Sequence, residues 1–282
     1  MAGPTLGDFL RSRRLSIRSA NGEGIISTSR RARGLRREDV AVRVGVSVDY
    51  YAKIEQGSRR IVPSGTVLNA IADVLELTDV EREHVFDLAR FGSEPAKSRQ
   101  PGVQGVQPGT LELMEGLSDF PALLVGRGLD ILAVNPLGRM LLDDFAAMPS
   151  RERNAVRWMM FNERVREIHE SWYTAATGAI GMLRMDLARY PHDPKTLELV
   201  EELNDTSDLF RKIWSERGVA RGVTSDSNLV RHPAVGPIRS SLRAVRIADD
   251  PNQTLQLLIP SSDPASQESM AELRRLSTPP LR

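Results

Sequence analysis

The sequence predicts two domains of different class, an all-α N-terminal bundle and a C-terminal α+β domain, and three observations carry that reading. Apolar residues recur at three- and four-residue spacing from Leu6 to Phe91. Residues 93–110, rich in Pro, Gly, Ser and Gln, then interrupt all periodicity. Beyond them short apolar runs give way to helical spacing and then to short runs again, the order expected of an α+β fold. A chain of 282 residues has room for both domains, and the boundaries fall at 1–92, 93–110 (a linker) and 111–282.

In the first domain Leu6, Phe9, Leu10 and Arg13 give an initial helix. Leu35, Val40, Ala41 and Val44 mark a second, and Gly45 breaks it because glycine leaves a helix with positive φ at no steric cost. Ser47 suits the N-cap of a third helix, its hydroxyl accepting a backbone N–H one turn later, with Val46, Tyr51 and Ile54 inward. Gly57 ends that helix. Pro63 and Ser64 open a fourth, with Val67, Leu68, Ile71, Ala72 and Leu75 on one face. Asp79 caps a fifth that runs to Arg90, with Val80, His84, Val85, Leu88 and Phe91 inward. The second and third helices, with the tight turn between them, have the spacing of a helix-turn-helix.

The charge pattern points the same way. Residues 1–60 hold thirteen Lys and Arg against six Asp and Glu, whereas the whole chain carries only +1, so the cationic surplus is concentrated in the bundle. Arg30, Arg31, Arg33, Arg36 and Arg37 precede or begin the first motif helix, and Arg59 and Arg60 follow the second, where a loop reaches phosphate oxygens. The run from Gly34 to Glu38, then Gly45 to Ser47, Tyr50, Tyr51, Glu55, Gln56 and Gly57, followed by Pro63, Ser64, Val67 and Leu68, resembles the lambda-repressor-like helix-turn-helix of xenobiotic-response-element type regulators, in the form found in MmyB-like regulators. The resemblance implies that the exposed early positions of the recognition helix, Val48, Asp49, Tyr50 and Lys53, behind the Ser47 cap, face the major groove. It implies phosphate contacts from Arg36, Arg37, Arg59 and Arg60. Arg37 stands where a glutamine is common, which keeps that contact as a charge. Glu55 is expected to form a structural ion pair or cap rather than read a base, because a carboxylate near phosphate is costly.

In the second domain Leu111, Met114, Leu117 and Phe120 suggest a helix, and residues 121–135 read as two short strands turning at Gly126 to Gly128. Pro136 starts a helical stretch through Leu142. Residues 151–190 keep helical spacing through Val156, Met159, Met160, Val165, Ile168, Trp172, Ala176, Ile180, Leu183 and Leu187. Pro194 opens a further helix towards Trp214, with a break at 204–207. Segments 228–231, 238–247 and 254–259, separated by Pro, Gly and Asp-rich breaks, read as antiparallel hairpins, and 266–276 as a closing helix. The first two strands are expected to join the late hairpins in one antiparallel sheet, a PAS-like arrangement.

This half also resembles the MmyB-like family, through Val134 to Pro136, Phe145 to Asn154, Tyr190 to Pro194 and Arg231 to Gly236. The family's C-terminal half is a ligand-binding domain, so the resemblance implies a cavity between the helical section and the sheet. Val125, Ile131, Trp158, Met159, Phe161, Trp172, Tyr173, Ile180, Leu183, Phe210 and Trp214 are the candidates to line it. Met and Trp suit an adaptable apolar pocket, although a domain of this size needs such residues as core in any case. The strand after Gly236 is more basic here than in the family, reading GPIRSSLRAVRI.

Catalytic, metal and cofactor chemistry find no support. The four histidines, His84, His169, His192 and His232, lack metal-ligand spacing, and there is no cysteine nucleophile. His169 with Glu163, Glu167 and Glu170 reads as a solvated helix face. No phosphate-binding loop or nucleophile elbow is present, and no cofactor is expected. The chain has no apolar run long enough for a membrane span and no export signal, and its lack of cysteine fits a reducing cytoplasm. We therefore expect a cytoplasmic transcription regulator, a repressor, that binds double-stranded DNA as a homodimer and senses a small apolar or amphipathic ligand. The alternative from another class is a DNA-tethered protein-interaction adaptor without a small-molecule ligand, and an enzyme with an autoregulatory DNA-binding domain is the third.

Overall fold

A computed structural model of the chain describes residues 5–17, 34–57, 61–91, 104–216, 228–250 and 252–277, which fall into two compact units. The first unit comprises Met1–Gln100 together with Leu187–Val219. Its bundle contains α1 (Leu6–Ser16), α2 (Arg37–Val44), α3 (Val48–Glu55), α4 (Gly65–Val74) and α5 (Asp79–Phe91). These are the five helices the spacing predicts. Phe9, Leu10, Leu35, Val40, Ala41, Tyr51, Ile54, Leu68, Ile71, Leu75, Val85 and Leu88 form their common core. His84 is fully buried in it, edge to face with Phe9 at 5.0 Å between ring centroids. Gly7 lets α1 lie against the end of α3, since a Cβ there would stand 2.2 Å from the Glu55 carbonyl oxygen.

Sequence order did not anticipate the rest of this unit. It also takes in the last three residues of α10 (Trp172–Arg189), α11 (Pro194–Thr206) and α12 (Asp208–Ser215). Ala188 joins the bundle core. Arg189 Nε and Nη2 donate to Asp87 and Glu83 of α5, each at 2.8 Å. The expected break near 204–207 is Ser207, which ends α11 and caps α12 by accepting from the Phe210 N–H.

The second unit comprises Pro101–Asp186 and Ala220–Arg282. Of the expected linker, residues 93–103 lie outside those described. Residues 104–110 belong to this unit: Gln253 donates to the Gly105 carbonyl, Gln104 holds the backbone of Arg127, and Pro108 begins α6 (Pro108–Gly116). The sheet is wholly antiparallel, in the order β2-β1-β5-β4-β3, with β1 (Ala122–Val125), β2 (Ile131–Val134), β3 (Asn228–His232), β4 (Gly236–Arg246) and β5 (Thr254–Pro260). The first two strands thus join the late hairpins, as expected. Side chains alternate across a strand, so Leu123 of β1 enters one apolar cluster with Ile238, Leu258, Met270 and Leu273, and Ala122 and Leu124 enter another with Met114 and Leu255. Burial on both faces explains why β1 is an unbroken apolar run.

Asn135 and Pro136 join the sheet to α7 (Pro136–Leu141). The Asn135 amide accepts from the Ala122 and Gly138 N–H groups and donates to the Leu117 and Phe120 carbonyls, at 2.7–2.9 Å. The helical stretch predicted over 151–190 is three helices, α8 (Ala155–Phe161), α9 (Glu163–Ile168) and α10. Asn154 caps the first by accepting from the Val156 and Arg157 N–H groups. The closing helix α13 (Pro264–Ser277) packs on β4, β5 and α7.

Candidate DNA-binding face and ligand-domain core

The geometry of α2 and α3 follows from local chemistry. Gly45 adopts φ +77°, where a side chain would be strained, and its left-handed turn sends the chain back across α2. The Val46 N–H then closes on the Ala41 carbonyl at 3.0 Å. The Ser47 hydroxyl accepts from the Tyr50 N–H at 3.1 Å and starts α3. Tyr51 and Ile54 point into the core, whereas Val48, Asp49 and Lys53 are exposed and Tyr50 is half-buried. Lys53 donates to Asp49 at 2.6 Å along the exposed face. Val42 on α2 is 76% exposed, a position the apolar spacing did not single out.

Behind α3 lies a buried ion cluster. Arg14 donates through Nε and Nη2 to the two Glu55 oxygens at 2.8 and 2.7 Å, and through Nη1 to the Leu35 carbonyl at 2.8 Å. Arg37 donates to Glu55 through Nε and Nη2 at 3.1 and 3.0 Å. Burial alone would push the Glu55 carboxyl up, but the Arg14 and Arg37 guanidiniums outweigh it and hold the group below the usual carboxylate range. Hydrogen bonding to Glu55 raises Arg14 in turn. Glu55 is thus the structural ion-pair residue expected. Arg37, read from sequence as a phosphate contact, is half-buried and engaged by Glu55. Arg36 is exposed at the start of α2, where its N–H donates to Asp39. Arg59 and Arg60, like Arg30, Arg31 and Arg33, lie outside the described residues.

The candidate ligand residues divide between the two units. Val125, Ile131, Trp158, Ile180 and Leu183 are buried in the second unit, and Met159 and Trp172 are half-buried there. Phe210 and Trp214 stack on each other at 5.3 Å within the first unit, so they are not part of the second unit's core. A second correction concerns Phe161 and Tyr173. They stand at the end of α8 and the start of α10, 48% and 44% exposed, because their helix ends turn them outward.

The core of the second unit is centred on Trp158. Its indole N–H donates to Asp143 at 3.0 Å, and Phe145 stands edge to face with it at 5.3 Å. Trp172 donates to the Met159 carbonyl at 2.7 Å, with the Arg166 guanidinium 4.8 Å above its ring. His169 reverses the solvated-face reading. Glu163, Glu167 and Glu170 are exposed, but His169 follows the last residue of α9, pairs with Val230 of β3 and is only 3% exposed. Burial lowers the pKa of its imidazole, against a partial offset from Asn228. Asp143 was not singled out in the sequence, and Phe145 and Asn228 were read only as parts of longer stretches, since their partners are distant in sequence.

Among the described residues no group of three or more His, Asp and Glu is placed to hold a metal ion, and no helix is long and apolar enough to cross a membrane. No curated protein matches the chain. A helix-turn-helix domain model matches residues 5–85, covering α1 to α4 and half of α5. The model of the MmyB-like transcription regulator ligand binding domain matches residues 106–276. The two models describe regulatory modules that bind DNA and ligands, not catalysts. A glycine-turned, serine-capped helix pair followed by this ligand-binding domain makes the chain a DNA-binding transcription regulator, and it belongs to the MmyB-like family.

Proposed function

We propose that the protein is a cytoplasmic repressor that binds its operator as a homodimer and releases or tightens it in response to a small apolar or amphipathic ligand. The observation that carries this reading is the two-faced character of α3. Tyr51 and Ile54 are buried and Glu55 is clamped by two arginines, while Val48, Asp49 and Lys53 face solvent from a rigid base. Side chains so presented discriminate base pairs in the major groove. Val48 offers an apolar contact to a thymine methyl, and Lys53 a donor to guanine or phosphate. Ser47 and Tyr50 set the register of the helix, and Arg36 supplies a backbone-directed charge, with Arg59 and Arg60 expected to add to it.

A homodimer is proposed because one such module touches few base pairs, and two copies related by a two-fold axis engage half-sites about one helical turn apart. The ligand regulates only if it binds one conformation of the chain better than another. Val125, Ile131, Trp158, Met159, Trp172, Ile180 and Leu183 provide an apolar environment for it in the second unit. The test is binding of the full chain to a labelled fragment of its own promoter, titrated with salt and competitor DNA. Saturable binding that survives competitor supports an operator-specific regulator, and binding that competitor abolishes removes that reading.

A further inference from the structure

His169 and His232 are both buried in the second unit, and their nitrogens have different fates. His232 is satisfied on both sides: Nε2 lies 3.1 Å from the Met140 carbonyl, and Nδ1 accepts from the Ala234 N–H at 3.3 Å. His169 is satisfied on one. Its Nδ1 lies 3.3 Å from Asn228 Oδ1, which can only accept, so Nδ1 carries the proton. Nε2 is then a bare lone pair, and among the described residues it has no hydrogen-bond partner. Burying such an atom without a partner costs free energy, and folded proteins rarely leave one.

The cluster that His169 adjoins is apolar. Trp158 stands edge to face with the His169 ring at 6.0 Å. Val165, Ile168 and Val230 belong to the same cluster, and Met159 and Trp172 pack against it. Unbranched, polarisable methionine yields to a guest more readily than branched side chains do. Asn228 fixes the ring from behind, and Asp143 fixes Trp158, so the acceptor is oriented before any ligand arrives.

We propose that His169 Nε2 is the polar recognition point of the ligand site, and that the ligand is an amphipathic molecule presenting a neutral hydroxyl to it. This rests on the ligand-binding reading of the domain and names the chemistry of its head group. An anionic head group would meet a lone pair, and burial disfavours the imidazolium that could receive it. A head group that only accepts would leave both polar atoms unpaired.

The experiment uses the full chain and three probes that differ only at the head: 4-octylphenol, 4-octylanisole and 4-octylbenzoate, followed by tryptophan fluorescence. The phenol is expected to bind about tenfold more tightly than the anisole, with the benzoate weakest. His169→Phe, which keeps a ring and removes the acceptor, should bring the phenol-to-anisole ratio to near one, and His169→Gln should restore part of it. Should neither variant fold, nitrogen-15 spectra of histidine-labelled parent protein decide: phenol must shift the unprotonated Nε2 signal of His169, and anisole must not. Equal binding of all three probes, or an unmoved Nε2 signal because water already satisfies it, overturns the hydroxyl assignment while leaving the ligand-binding reading intact. Failure of all three to bind also overturns it. The broader reading falls only if a diverse thermal-shift library gives no stabilisation either.

Discussion

Two buried polar groups, one in each unit, are held in opposite ways. In the helical bundle the Glu55 carboxylate, set deep behind the recognition helix, is clamped by Arg14 and Arg37, with four N–H groups from α1 and α2 converging on its two oxygens. In the second unit Trp158 and Asn135 are anchored just as firmly, yet the adjoining His169 has, among the described residues, no partner for its Nε2. The fully engaged Glu55 gives α3 a fixed base, as a surface that presents side chains to a rigid duplex needs. A site that must admit a guest gains from an atom the protein itself does not satisfy.

The largest effect that could break this contrast is loss of the clamp. Glu55→Ala leaves Arg14 buried without its counter-charge and is expected to destabilise the first unit by about 3–5 kcal/mol, read by denaturant unfolding. The paired replacement Arg14→Met with Glu55→Leu should recover most of that loss. If the single change costs under about 1 kcal/mol, the cluster does not hold α3 in place. Asn135→Ala comes next, removing four hydrogen bonds at the joint between sheet and α7. About 1–3 kcal/mol should be lost, and the second unit's tryptophan signals should report it. Ser47→Ala removes the α3 cap and should cost about 1 kcal/mol. Operator affinity should fall with it, because the base-facing residues follow the cap directly.

The smallest expected effect sharpens the comparison through pH. Burial lowers the pKa of both His169 and His232 below the ordinary value. The unfolded chain therefore binds protons first as pH falls, and stability is lost progressively below about pH 6.5. Glu55, lowered by its arginines, contributes only at more acidic pH, with stability lost as pH falls below its unfolded value of 4.5. Unfolding curves followed by tryptophan emission between pH 7 and 5 should fall for the parent and be flatter for His169→Phe. A parent curve that is flat over this range would contradict the neutral buried imidazoles.

Where structure is decided by neighbouring residues, it could be read from the chain. Gly45 and Ser47 announce their turn and cap, Asn135 and Pro136 the strand-to-helix joint, and Ser207 the break between α11 and α12. The short apolar runs on either side of the helical section, bounded by Pro, Gly and Asp-rich breaks, placed β1, β2 and the late strands in one sheet. What escaped was set by partners far away in sequence. Glu55 meets Arg14 across 41 positions, and α11 and α12 belong to a compact unit that the order of the chain does not reveal. Short helices also hide which way their ends face, which is why Phe161 and Tyr173 were placed inward and His169 outward.

The exposed face of α3 is the central claim, and its most direct test is the ratio of affinities for operator and competitor DNA at fixed salt, measured for the parent and for Val48→Asp and Lys53→Ala. The parent should prefer its operator by about a thousandfold or more. Each variant should lose about tenfold or more of that ratio, with thermal stability unchanged because both side chains are exposed. An unchanged ratio in both variants would mean that α3 does not read the operator.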